Sequence, residues 1–192
     1  VVLVHGIWDT GRVWDALVAK LASCGRTRVA AIDLVPNDGR LGLAMLARQV
    51  EDAATKLQAE TGAARVDVVG FSMGTLVSRW WLQKLGGRER TRRFVAISGP
   101  QHGTWTAYFN GTPGGRDMRP DSVFLRELYA DPAPFGDVEV TSFWTPMDLM
   151  IVPSWSSAIE GSRKRRFWVP LHPWMTSDAQ VVQAVADELC RP

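Results

Sequence analysis

Val66-Asp67-Val68-Val69-Gly70-Phe71-Ser72-Met73-Gly74-Thr75-Leu76-Val77 is the stretch that decides the fold. Residues 65–69 read as a buried strand, and from Met73 to Leu85 apolar residues recur at helical spacing. Between the two, Gly70 and Gly74 flank Ser72 two positions away on each side. This is the Gly-x-Ser-x-Gly spacing of a sharp strand-to-helix turn that exposes a nucleophilic serine. Such a turn strains the serine backbone and crowds strand against helix, and residues without a Cβ relieve the crowding. It also puts Ser72 at the positive end of a helix, where free N–H groups and the macrodipole favour developing negative charge. The same string can be a plain tight turn, but a strand before it and an apolar helix after it are the context a nucleophile requires.

On either side the same rhythm continues. Val1–Val4, Arg28–Ile32, Arg93–Ile97, Val138–Phe143 and Arg165–Val169 also read as buried strands. Helical patterns span Arg12–Ala22, Leu43–Glu60 and Asp178–Leu189. Parallel neighbours need crossover helices, so the alternation predicts an α/β fold. The expected form is a mostly parallel six-stranded sheet with helices on both faces, in three layers. One interval breaks the rhythm: Gly99–Gly136 is rich in Pro and Gly and includes Asn110, with a short helical pattern near Ser122–Tyr129.

The chain has 192 residues, 46% of them apolar and 22% charged, which predicts one folded domain over 1–192. No apolar run approaches the roughly 20 residues of a membrane-spanning helix. A net charge of +2 gives no reason to expect a nucleic-acid partner, and the basic run Arg163–Arg166 is read as a solvated strand edge rather than a lipid or nucleic-acid contact. Because the strand pattern starts at Val1, any signal peptide is expected to be already removed or never present, so compartment stays open. Cys24 and Cys190 match no metal-ligand spacing.

A serine nucleophile needs a base to take its proton and an acid to orient that base. In this fold the acid and then the histidine follow the serine along the chain, each in a loop after a later strand. Of three histidines, His5 precedes Ser72, and His102 comes before any suitable strand-end acid. His172 follows the last strand and precedes the last helix, and is the predicted base. Asp148, just beyond the 138–143 strand, is the predicted acid. Asp117, Asp121, Asp131 and Asp137 sit in the irregular stretch, and Asp178 reads as a helix N-terminal residue. The backbone N–H groups of Ile7, in the turn after the first strand, and of Met73 are the predicted oxyanion donors. His5 is expected to shape that turn by bonding nearby backbone.

With those residues in place, the chain resembles the small bacterial lipases built on a minimal α/β-hydrolase sheet. The likeness is most specific at Val4-His5-Gly6-Ile7 and over Val69–Arg79, continues through Ile97–Thr104, and reaches Asp148 and His172 more weakly. It implies cleavage of carboxylic esters of glycerol and related lipids, no cofactor or metal for the chemistry, a lipid or ester substrate, and transient contact with a lipid interface. Trp8-Asp9-Thr10 departs from the small residues often found beside the oxyanion turn, which leaves acyl-pocket width open.

Nine tryptophans are many for this length. Trp8, Trp105, Trp144 and Trp174 are read as substrate-binding, since aromatic rings present large rigid apolar area, while Trp155 shares their placement near loops and strand ends. Trp14, Trp80, Trp81 and Trp168 are read as packing residues. Residues 104–136 are expected to form a small cap over the cleft. If the first and last helices lie on one face and run the same way, as is common in this topology, Cys24 and Cys190 can pair as a disulfide. Acyltransferase, thioesterase, amidase and peroxide-forming activities share the same triad, and a silent binding module shares the fold. A dehalogenase needs a carboxylate where Ser72 stands.

Overall fold

The computed structural model describes residues 1–191. Six strands form one all-parallel sheet: β1 (Val2–Val4), β2 (Ala30–Ile32), β3 (Val66–Phe71), β4 (Thr91–Ile97), β5 (Glu139–Trp144) and β6 (Arg163–Arg166), in the order β2-β1-β3-β4-β5-β6. The helices are α1 (Asp15–Ser23), α2 (Leu43–Thr61), α3 (Met73–Lys84), α4 (Pro113–Asp117), α5 (Val123–Tyr129) and α6 (Ala179–Cys190).

The two-residue period of the central strands sorts their side chains into two cores. Val2, Val4, Val66, Val68, Phe94 and Ala96 pack with residues of α2, α3 and α5 on one face. Leu3, Val69, Phe71, Val95 and Ile97 pack with α1 and α6 on the other. The result is a three-layer α/β architecture, with β3 and the turn after it at its middle.

Both edges differ from the expectation of buried strands. β2 is only partly buried, and β6 is largely exposed and sits two residues upstream of the expected start, on the run Arg163–Arg166. An edge strand packs against one neighbour only, so its position is set by pairing with β5, from Thr141↔Arg163 to Trp144↔Arg166, and not by burial. The basic run is thus the solvated edge itself. Residues 12–22 divide into a 3-10 turn at Gly11–Trp14 followed by α1.

Cys24 ends α1 and Cys190 ends α6, and the two form a disulfide with Cα atoms 6.4 Å apart. Asp178 caps α6, accepting from the N–H groups of Gln180 and Val181.

The irregular interval is more structured than its composition suggests. Ser122 caps α5 at the N–H of Leu125, and Phe124, Leu125 and Leu128 belong to the core. Asp117 accepts from the N–H of Leu43 at 2.8 Å and so ties α4 to the start of α2.

Candidate active site

Ser72 stands between β3 and α3 with φ 51° and ψ −124°. A non-glycine residue in that region carries about 1–3 kcal/mol of strain, tolerated only where surroundings enforce it. Here they do. Ser72 N–H donates to the Ile97 carbonyl at 2.9 Å, and the Ser72 carbonyl accepts from Thr75 Oγ1 at 2.8 Å. Gln101 Nε2 in turn donates to Thr75 Oγ1 at 2.9 Å. The flanking glycines are needed for space. A Cβ on Gly70 would lie 2.7 Å from Thr75 Cα, and one on Gly74 would collide with the carbonyl oxygens of Val4 and His5.

The loop after β1 runs directly past the serine, since a Cβ on Gly6 would lie 3.0 Å from Ser72 Cβ. His5 is fully buried and fixes this loop. Its Nε2 accepts from Leu34 N–H at 2.8 Å, so its proton lies on Nδ1, which donates to the Gly6 carbonyl at 2.7 Å. Trp8 has φ 63° and donates its N–H to Asn37. Met73 opens α3, so its N–H belongs to the first turn, whose amides have no acceptor within the helix.

His172 begins a 3-10 turn before α6, and its Nδ1 lies 2.7 Å from Asp148 Oδ2. A carboxylate only accepts, so Nδ1 carries the proton and Nε2 holds the lone pair. His172 Nε2 is buried and has no partner among protein atoms. The His172 ring packs against the Phe71 ring at 4.8 Å, which brings it beside the turn that carries Ser72. Asp148 Oδ1 accepts from the N–H groups of Met150 and Ile151, each at 2.9 Å. Thr145 Oγ1 donates to the Val169 carbonyl at 2.8 Å, clamping the loop of Asp148 to the chain that leads into His172. The structure thus joins Asp148 and His172, 24 positions apart along the chain, and sets the pair beside the turn that carries Ser72, with no hydrogen bond from His172 Nε2 to Ser72.

A cavity of about 160 Å³ opens at Ser72. Ile7, Trp8, Thr104, Ala107, Met118 and Met150 are among its walls, which are mainly apolar. Of the tryptophans expected to bind substrate, Trp8 lines it. Trp105 stacks on Tyr108 instead, Trp144 ends β5, and Trp174 is half-exposed in the turn of His172. Trp155 lies against His102, and His102 itself bonds Tyr129 away from Ser72. Of the expected cap, residues 104–118 contribute to the cavity, whereas Phe124, Leu125, Leu128 and Phe135 sit in the core beside α3. Thr104 and Met118 fall within the expected cap, whereas Leu149, Met150 and Ile151 were not singled out by the sequence, which held no signal for them beyond their loop position.

Among the described residues, no group of three or more His, Cys, Asp or Glu is placed to hold a metal ion, and no helix is long and apolar enough to cross a membrane.

An all-parallel sheet with a strained serine between strand and helix, and a histidine locked by an acid beside it, defines the α/β-hydrolase class. The chain belongs to the alpha/beta hydrolase family, whose model matches residues 1–191. Solved structures agree on the fold. Lipase B of Aspergillus fumigatus superposes with a TM-score of 0.84 at 20% identity over 99% of this chain, which spans 52% of that protein. The lin2722 product of Listeria innocua gives 0.74 at 14% identity, over 96% of this chain and 90% of that one. The mature Bacillus licheniformis lipase BlEst2 gives 0.72 at 15% identity, over all of this chain and 91% of that one. Comparison with curated proteins found no match.

Proposed function

We propose that the protein hydrolyses carboxylic esters through an acyl-enzyme, with Ser72 as nucleophile, His172 as base and Asp148 as the acid that orients it. The observation that carries this reading is His172: Asp148 fixes its tautomer, and its free Nε2 is buried with no other partner. Ser72 Oγ attacks the ester carbonyl carbon while Nε2 takes its proton. The tetrahedral oxyanion is received by the N–H groups of Ile7 and Met73, each such donor contributing about 3 kcal/mol. The carbonyl re-forms, the bond to the alcohol oxygen breaks, and His172 hands the proton to that oxygen. Water then repeats the cycle on the acyl-enzyme. Chain 1–192 acts as one catalytic domain, with residues 104–118 as a partial cap.

The apolar cavity is the seat of the acyl group, with Trp8 as a wall. Contact with a lipid surface is supported by the aromatic rim on the segment bounding that cavity, where Phe109 is 94% exposed and Trp105 and Tyr108 are also exposed. The lipase names of two similar structures accord with lipid esters as substrates.

Hydrolysis of nitrophenyl esters from short to long acyl chains, compared between wild type and Ser72→Ala, tests the reading. The expected result is turnover and fluorophosphonate labelling that both vanish in the variant. Turnover without dependence on Ser72, or none on any ester, overturns it.

A further inference from the structure

Asp9 lies at the same site and has no part in the chemistry above. Its backbone is engaged, donating to the Gly6 carbonyl and accepting from Asn37 Nδ2. Its half-buried carboxylate has no hydrogen bond and no ion pair among the described residues. Burial raises its pKa. A partly desolvated carboxylate without a donor is costly, and such groups concentrate where a ligand completes them.

Its position specifies which part of the ligand does so. The point a Gly6 Cβ would occupy is 3.0 Å from Ser72 Cβ, 3.1 Å from Asp9 Oδ2 and 3.3 Å from Phe71 Cδ1. Asp9 and the nucleophile therefore flank the same glycine, next to the ring that packs on His172. The apolar cavity lies elsewhere around Ser72 and includes none of Asp9, Phe71 or His172. His172 must deliver a proton to the departing oxygen, so the alcohol leaves on the side of His172 and Asp9. No lysine or arginine lines the cavity. A neutral hydroxyl there gains a hydrogen bond only, whereas a protonated amine gains a hydrogen bond and the missing countercharge.

We infer that Asp9 selects the leaving group, favouring esters whose alcohol carries a protonated amine close to the ester oxygen. The inference rests on the ester-hydrolase reading and adds no covalent step: the same C–O bond breaks and the same proton reaches the alcohol.

The test compares 2-(dimethylamino)ethyl butyrate with 3-methylbutyl butyrate at neutral pH. The two share an acyl group and a shape, and differ by N–H⁺ in place of C–H. The quantity read is the ratio of their kcat/KM values, which does not depend on how much of a variant is folded. Wild type is expected to favour the amine at least ten-fold, with the ratio falling close to one in Asp9→Asn and below one in Asp9→Lys. A wild-type ratio near one, or a ten-fold preference that survives in Asp9→Asn, overturns the inference while leaving ester hydrolysis standing. Absence of Ser72-dependent turnover on both esters and on nitrophenyl butyrate overturns both.

Discussion

Asp148 divides its carboxylate between His172 and its own loop: Oδ2 meets Nδ1 of His172 at 2.7 Å, and Oδ1 accepts from the N–H groups of Met150 and Ile151. Asn at this position can serve the loop through its oxygen, but its amide then faces His172 and reverses the tautomer. Asp148→Asn is expected to keep the fold and lower kcat about 10⁴-fold on nitrophenyl butyrate. Steady-state kinetics with circular dichroism as a fold check measure both.

Ala107 is buried and lines the cavity at Ser72. Leucine there would take up three carbons' worth of a space of about 160 Å³. Ala107→Leu is expected to shift preference toward shorter acyl groups, lowering kcat/KM for hexanoate relative to acetate by about ten-fold or more. Competition between the two nitrophenyl esters reads the ratio directly.

Cys24 and Cys190 are 166 positions apart, so their disulfide closes nearly the whole chain into a loop. Restricting the unfolded chain in this way stabilises the fold by about 2–4 kcal/mol. The double substitution Cys24→Ala/Cys190→Ala is expected to lower the urea midpoint accordingly, and reductant is expected to destabilise wild type but not the variant.

His102 stacks on Tyr129 at 5.1 Å, and burial, assisted by the Arg79 guanidinium, holds its pKa below the usual 6.5. The unfolded chain therefore binds this proton more readily than the folded one. The resulting stability is present above pH 6.5 and is lost as the pH falls through 6.5 toward the folded pKa. Tm measured from about pH 7.5 down to about pH 5 is expected to fall less steeply in His102→Gln than in wild type.

Central strands were legible in the sequence because burial on both faces leaves short apolar runs, as in Val68–Val69 and Phe94–Ile97. Edge strands were less so. β6 is made of four basic residues whose place follows from pairing with β5. Helix ends with a local cap, such as Ser122 and Asp178, could be read from neighbouring residues.

By itself the sequence determined the alternation of strand and helix and the turn at Ser72, because both depend on residues close along the chain. The spacing of Gly70 and Gly74 is one local steric requirement, and chain order narrowed the candidate acid and base to Asp148 and His172. Only the tertiary structure decided what meets at that turn. The 2.7 Å contact of His172 with Asp148, the cavity walled by Trp8 and Met150 and not by Trp144, and the unpaired carboxylate of Asp9 beside Gly6 all join segments far apart in the chain. Their approach is set by how loops leave the sheet and pack on one another, which no local periodicity encodes.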